Sequence, residues 1–207
     1  MHAFKLALRF LTFLRLTRET PLPDELSRSM IYFPVIGILI GSFLVSLDQF
    51  MRGLIPLPWA NGILFSILIL IRCNRGLKET LGVVLPTFSL IFCGILKYAL
   101  FLFIPGPLRW ISLVFMTTFS SGALAWGIAR TKFKLNDVLE NLLWASLACV
   151  MFAVACGPLG IFVLGVSVGS LALALFLKGR WLKWLEEGLE MAVLVAVILF
   201  VAFWKKF

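Results

Sequence analysis

The stretch Met30–Leu47, MIYFPVIGILIGSFLVSL, decides the fold. It carries no charged residue over a length close to the roughly 20 residues that a helix needs to cross about 30 Å of hydrocarbon. Working outward, the same reading applies to Leu54–Ile71, Leu81–Ile104, Leu108–Ala129 and Gly188–Trp204. A longer apolar tract from Asn141 to Leu177 would overrun a bilayer as one straight helix, and Cys156-Gly157-Pro158 interrupts it near its middle. Splitting it there predicts about seven spans, near 30–47, 54–71, 81–104, 108–129, 141–156, 159–177 and 188–204. Backbone groups in lipid must be bonded within their own segment, so each span is expected as a helix.

Composition agrees. Hydrophobic residues make up 61% of the 207 and charged residues 14%, with mean hydropathy +1.04, whereas a soluble domain carries roughly 25% charged residues. The expectation is an all-α integral membrane protein. Its connecting segments fall far short of the roughly 50 residues that a small soluble domain needs, so residues 1–207 read as one membrane domain.

Basic residues set the orientation, because they accumulate in short cytoplasmic loops. Lys5, Arg9, Arg15, Arg18 and Arg28 precede the first span; Arg72, Arg75 and Lys78 follow the second. Arg130, Lys132 and Lys134 follow the fourth, and Lys178, Arg180 and Lys183 follow the sixth. Only Arg52, Arg109, Lys205 and Lys206 fall on the other side, with Lys97 inside a span. This alternation predicts a multi-pass protein of a bacterial-type inner membrane with its N-terminus in the cytoplasm. The net charge of +9 then serves topology and lies against anionic headgroups. No basic stripe interleaved with aromatics points to nucleic acid, and the partner implied is the lipid bilayer.

Residues 1–16 read differently. Phe4, Leu8 and Leu11, with Lys5 and Arg9 four apart, suit an amphipathic helix lying in the interface with its basic face toward headgroups. The charges interrupt its apolar run and no small-residue cleavage site follows, so it reads as a retained segment rather than a signal peptide. Thr20-Pro21-Leu22-Pro23-Asp24 forms a turn toward the first span.

Few residue types offer chemistry. The four cysteines have no metal-ligand spacing and read as small packing residues. His2 is the single histidine, which argues against a histidine-based nucleophilic, zinc or proton-relay mechanism. Gly37 and Gly41 form a small-xxx-small pair that admits another helix backbone; internal packing is favoured, and a homo-oligomer stays open. Lys97 is the conspicuous residue. An ionisable group at membrane depth costs about 2.5–3.5 kcal/mol on insertion scales, and its stem is expected to snorkel outward past Ile104. Its functional reading is a countercharge for a phosphate or carboxylate, with Arg109 near the same face and Arg130 as a further anion contact.

Two segments carry a family resemblance. Phe4-Lys5-Leu6-Ala7-Leu8-Arg9-Phe10-Leu11-Thr12, followed by Ser29-Met30-Ile31-Tyr32-Phe33-Pro34-Val35-Ile36-Gly37-Ile38-Leu39-Ile40-Gly41, resembles the opening of the cobalamin synthases, or adenosylcobinamide-GDP ribazoletransferases. Leu96-Lys97-Tyr98-Ala99-Leu100, Pro107-Leu108-Arg109-Trp110 and Ala129-Arg130 are similar to later landmarks of that family in the same order. The resemblance implies an inner-membrane transferase of vitamin B12 assembly. Such an enzyme joins GDP-activated adenosylcobinamide to α-ribazole or its phosphate and releases GMP with magnesium as cofactor. That chemistry needs carboxylates to hold a metal against the diphosphate being split.

The sequence departs from the family where those carboxylates belong. In place of a His-x-Asp-Gly-Leu-x-Asp motif, Leu70-Ile71-Arg72-Cys73-Asn74-Arg75-Gly76 passes into Leu77-Lys78-Glu79-Thr80, which reads as a deletion. Val84-Leu85-Pro86-Thr87-Phe88-Ser89 stands where a Met-x-Asp-Ser-x-x-Gly stretch is expected. Gly179-Arg180-Trp181-Leu182-Lys183-Trp184 stands in place of a Gly-Gly-x-Thr-Gly-Asp loop. Loops this basic repel a metal. The residual candidate site is Glu79, Glu187 and Glu190, but Glu187 and Glu190 with Lys183 also read as an ordinary salt-bridged helix face.

Three functions follow. The first is a catalytically impaired relative, a pseudoenzyme acting as scaffold or partner for other membrane enzymes of corrinoid assembly, with no cofactor. The second is a divergent magnesium-dependent ribazoletransferase. The third is a small-molecule membrane carrier, which needs a polar path through the bundle.

Overall fold

A computed structural model describes residues 2–12, 23–73, 87–133, 135–176 and 182–204. Every element among them is helical. The helices are α1 (His2–Leu11), α2 (Pro23–Ser29), α3 (Phe33–Arg52), α4 (Leu57–Cys73), α5 (Thr87–Leu102), α6 (Arg109–Lys132), α7 (Leu135–Ala155), α8 (Gly157–Phe176) and α9 (Leu182–Trp204). Short 3-10 turns at Met30–Tyr32 and Gly106–Leu108 lead into α3 and α6. Among the described residues, three stretches are long and apolar enough to cross a membrane: Glu25–Arg52, Arg109–Ala129 and Val138–Ala155. Shorter apolar helices run over Leu57–Ile71, Phe92–Leu102, Gly157–Ala172 and Gly188–Phe203.

The centre of the bundle is α6, 83% of whose apolar window is buried against other helices. Its tightest neighbour is α3. A Cβ added at Gly37 would lie 2.6 Å from the Thr117 carbonyl oxygen and 2.7 Å from Thr118 Cα; one at Gly41 would lie 2.6 Å from Val114 Cα. The two glycines therefore let α3 rest on the α6 backbone itself, the internal packing that their spacing favoured. Pro34 occupies the first turn of α3, where its missing N–H has no helical acceptor to lose.

The break inside the long apolar tract falls where the sequence puts it. Helix α7 ends at Ala155, and Gly157 takes φ +71°, a left-handed conformation that glycine adopts without Cβ strain. A Cβ on Gly160 would lie 2.0 Å from the Ala153 carbonyl oxygen, so the first turn of α8 folds directly onto the last turn of α7. Cys93 and Cys149 are buried packing residues.

One expectation changes in α1. Of the expected apolar stripe, Leu11 is fully buried and Phe4 and Leu8 are partly buried, and with the buried Leu6 and Ala7 they pack against Leu26, Met30, Phe33, Ile128, Ala129 and Leu142. The ring of Phe4 meets Tyr32 edge-on, with centroids 5.8 Å apart. Protein side chains at this end of the bundle offer the stripe closer packing than acyl chains, while Lys5 stays exposed on the opposite face.

Candidate functional site

Lys97 meets its partner inside the bundle. Its expected outward snorkelling is corrected by the structure, where the residue is 3% exposed and its Nζ donates to Glu190 Oε2 at 2.5 Å. Ser120 Oγ donates to the other carboxylate oxygen, Oε1, at 3.0 Å. Three helices thus converge on one carboxylate: α5 supplies the ammonium, α6 the hydroxyl and α9 the acid. Lys97 lies about 8 Å from the end of α5 and Glu190 about 12 Å into α9, from the helical rise of about 1.5 Å per residue. The physical reason for the inward turn is the charge-assisted bond to a fully buried Glu190, which is worth more in a low dielectric than the same bond at the interface.

A second cluster lies one helical turn further along α5. Arg109, 2% exposed, donates through Nη2 to Asn61 Oδ1 and stacks its guanidinium 4.3 Å over the Phe101 ring. Asp48, also 2% exposed, accepts from Arg52 of the same helix at 2.5 Å. Phe101 follows Lys97 by four residues, so the ring under Arg109 sits one helical turn along α5 from Lys97.

Helix α6 carries an unusually polar buried face: Ser112, Thr117, Thr118, Ser120 and Ser121. Most of these hydroxyls turn back on their own helix. Ser112 donates to the Leu108 carbonyl at 2.8 Å, Thr117 to Leu113 at 3.0 Å and Ser121 to Thr117 at 2.7 Å. These three satisfy themselves locally, as small hydroxyl residues do in lipid-embedded helices, whereas Ser120 also reaches Glu190 and Thr118 Oγ1 has no hydrogen-bond partner.

Of the residues singled out in the sequence, the structure joins Lys97 to Glu190 and sets Arg109 a turn away. Glu79 and the side chains of Glu187 and Arg130 lie outside the described residues. Asp48, Asn61 and Ser120 were not foreseen. The one sequence signal for Asp48 is its position four residues before Arg52; a lone asparagine or serine in an apolar helix gives none.

Among the described residues no three His, Cys, Asp or Glu side chains group to hold a metal, and both oxygens of Glu190 are engaged by Lys97 and Ser120. What this arrangement does chemically is neutralise a charge and bind three helices together.

The architecture and the buried charges define a polytopic helical membrane protein. Residues 3–79, a little over a third of the chain, match the family model described as cobalamin-5-phosphate synthase. The match runs from α1 through α4 and ends at Glu79, within the Arg72–Thr80 stretch. No curated protein and no solved structure matches the chain.

Proposed function

We propose that this chain is a cobalamin synthase-like protein of corrinoid assembly that does not carry out the ribazole transfer by itself and serves as a membrane partner or scaffold for enzymes that do. On this reading it crosses an inner membrane about seven times with its N-terminus in the cytoplasm. The observation that carries it is the engagement of Glu190. That carboxylate is the one member of the residual acidic set whose surroundings are described, and it is tied to Lys97 and Ser120 deep in the bundle, away from where nucleotide substrates arrive.

A specific observation favours the second reading, a divergent active transferase. The family match runs through residue 79. Within that range Gly76-Leu77-Lys78-Glu79 is similar to the Gly-Leu-x-Asp order of the family motif, and on this reading Arg75 takes the place of its first Asp. The stretch is then a substituted motif rather than a deleted one, and Glu79 is its surviving acid. The carrier reading gains nothing comparable, because most of the α6 hydroxyls that could line a polar path bond their own backbone.

The deciding experiment is GMP release by the purified protein in detergent or bilayer, given GDP-activated adenosylcobinamide, α-ribazole and magnesium, beside a chelated control. The expected result is no product from folded protein alone, together with co-purification of another membrane enzyme of corrinoid assembly. Magnesium-dependent GMP that disappears in Glu79→Gln would establish the transferase instead.

A further inference from the structure

The cluster at the Arg52–Arg109 end is bonded incompletely, and in a chemically specific way. With Arg109 Nη2 given to Asn61 Oδ1 and Asp48 Oδ2 taken by Arg52, three buried atoms of this cluster have no hydrogen-bond partner: Asp48 Oδ1, Asn61 Nδ2 and Arg109 Nε. They belong to α3, α4 and α6. Asp48, Asn61 and Arg109 are at least nine-tenths buried, and Asp48 and Arg52 both act electrostatically on Arg109. Native interiors rarely leave such groups unbonded, and small ordered ligands are a common way of satisfying them.

We propose that these three atoms form the binding site of one buried water molecule. It accepts from Arg109 Nε–H and Asn61 Nδ2–H and donates a proton to Asp48 Oδ1. The balance of donors and acceptors selects water over an ion. Chloride would take both donors and offset the surplus positive charge of two guanidiniums against one carboxylate, but it would face the carboxylate oxygen. A metal cation would take Asp48 Oδ1 and be opposed by both N–H groups. Water, a donor and an acceptor at once, meets all three. Size points the same way, since the atoms are sealed by protein and a lipid headgroup would not reach them. Turning the Asn61 amide over does not help, because it would set its NH2 group against the Arg109 guanidinium. The water would tie α3, α4 and α6 together where Arg109 itself lies over an aromatic ring rather than against an acid.

The test is water-edited solid-state NMR on the full-length, isotope-labelled protein in lipid bilayers, with water protons as the probe. Magnetisation from water should reach Arg109 Nε and Asn61 Nδ2 but not buried apolar residues such as Phe119. Asp48→Leu should lose the transfer at both nitrogens; if that variant does not fold, the wild-type spectrum alone decides. Two results would overturn the site. One is no transfer in the wild type, with Arg109 Nε directly against the Asp48 carboxylate. The other is a signal that depends on chloride concentration, which would place an anion there.

Discussion

The α3–α6 seam and the Lys97–Glu190 junction join helices by opposite means. At the seam, Gly37 and Gly41 remove side chains so that one backbone rests on another. At the junction, two charged side chains and a hydroxyl bridge α5, α9 and α6 through the interior. Both solve one problem. In a bilayer, acyl chains solvate an apolar helix about as well as another helix does, so burial of leucine gives little reason to associate; close backbone packing and polar bonds supply it instead. The seam works by shape and tolerates no added atom. The junction works by charge and tolerates no missing partner.

That contrast can be broken from either side. The largest effect is expected at the junction: Glu190→Leu leaves Lys97 buried without its carboxylate and should cost about 3–5 kcal/mol, the range for removing one member of a buried pair, read as a fall in thermal unfolding temperature in bilayer. The double variant Lys97→Met, Glu190→Leu should recover most of that loss, because an apolar pair of similar volume needs no counter-charge. At the seam, Gly41→Ala should cost about 1–3 kcal/mol as an overpacked contact. Trimming Thr117, whose Oγ1 would be met at 2.5 Å, should not by itself rescue it, since Val114 Cα of the α6 backbone would be met at 2.6 Å as well. Ser120→Ala, which deletes a single hydrogen bond to Glu190, should cost about 1 kcal/mol. Smallest of all, Trp59→Ala on the exposed face of α4 should stay within about 0.5 kcal/mol in the same assay.

The two regions were also unequally legible in the sequence. Gly37 and Gly41 announce a close helix approach by their spacing alone, and Cys156-Gly157-Pro158 announces a break, because both signals are local and steric. The junction is not local: Lys97 and Glu190 lie 93 positions apart. Each had a plausible setting closer by, the membrane interface for Lys97 and the helix face shared with Glu187 and Lys183 for Glu190. Nothing in spacing or composition says that α5 and α9 present those side chains to the same point. The Asp48, Asn61 and Arg109 cluster was hidden for the same reason, being assembled from three helices. The apolar stripe of α1 was visible, but a stripe does not say whether lipid or protein covers it.

Glu190 bonds Lys97 and Ser120, and the proposed function makes it a structural countercharge rather than a ligand for magnesium. The most direct test of that role is a double-mutant cycle across Lys97 and Glu190, measured as unfolding free energy in bilayers with and without magnesium. The account predicts a coupling energy of about 2 kcal/mol or more, within the range seen for residues in direct contact, and the same value whether or not the metal is present. Additive single effects, with a magnesium-dependent stabilisation that vanishes on replacing Glu190, would contradict it.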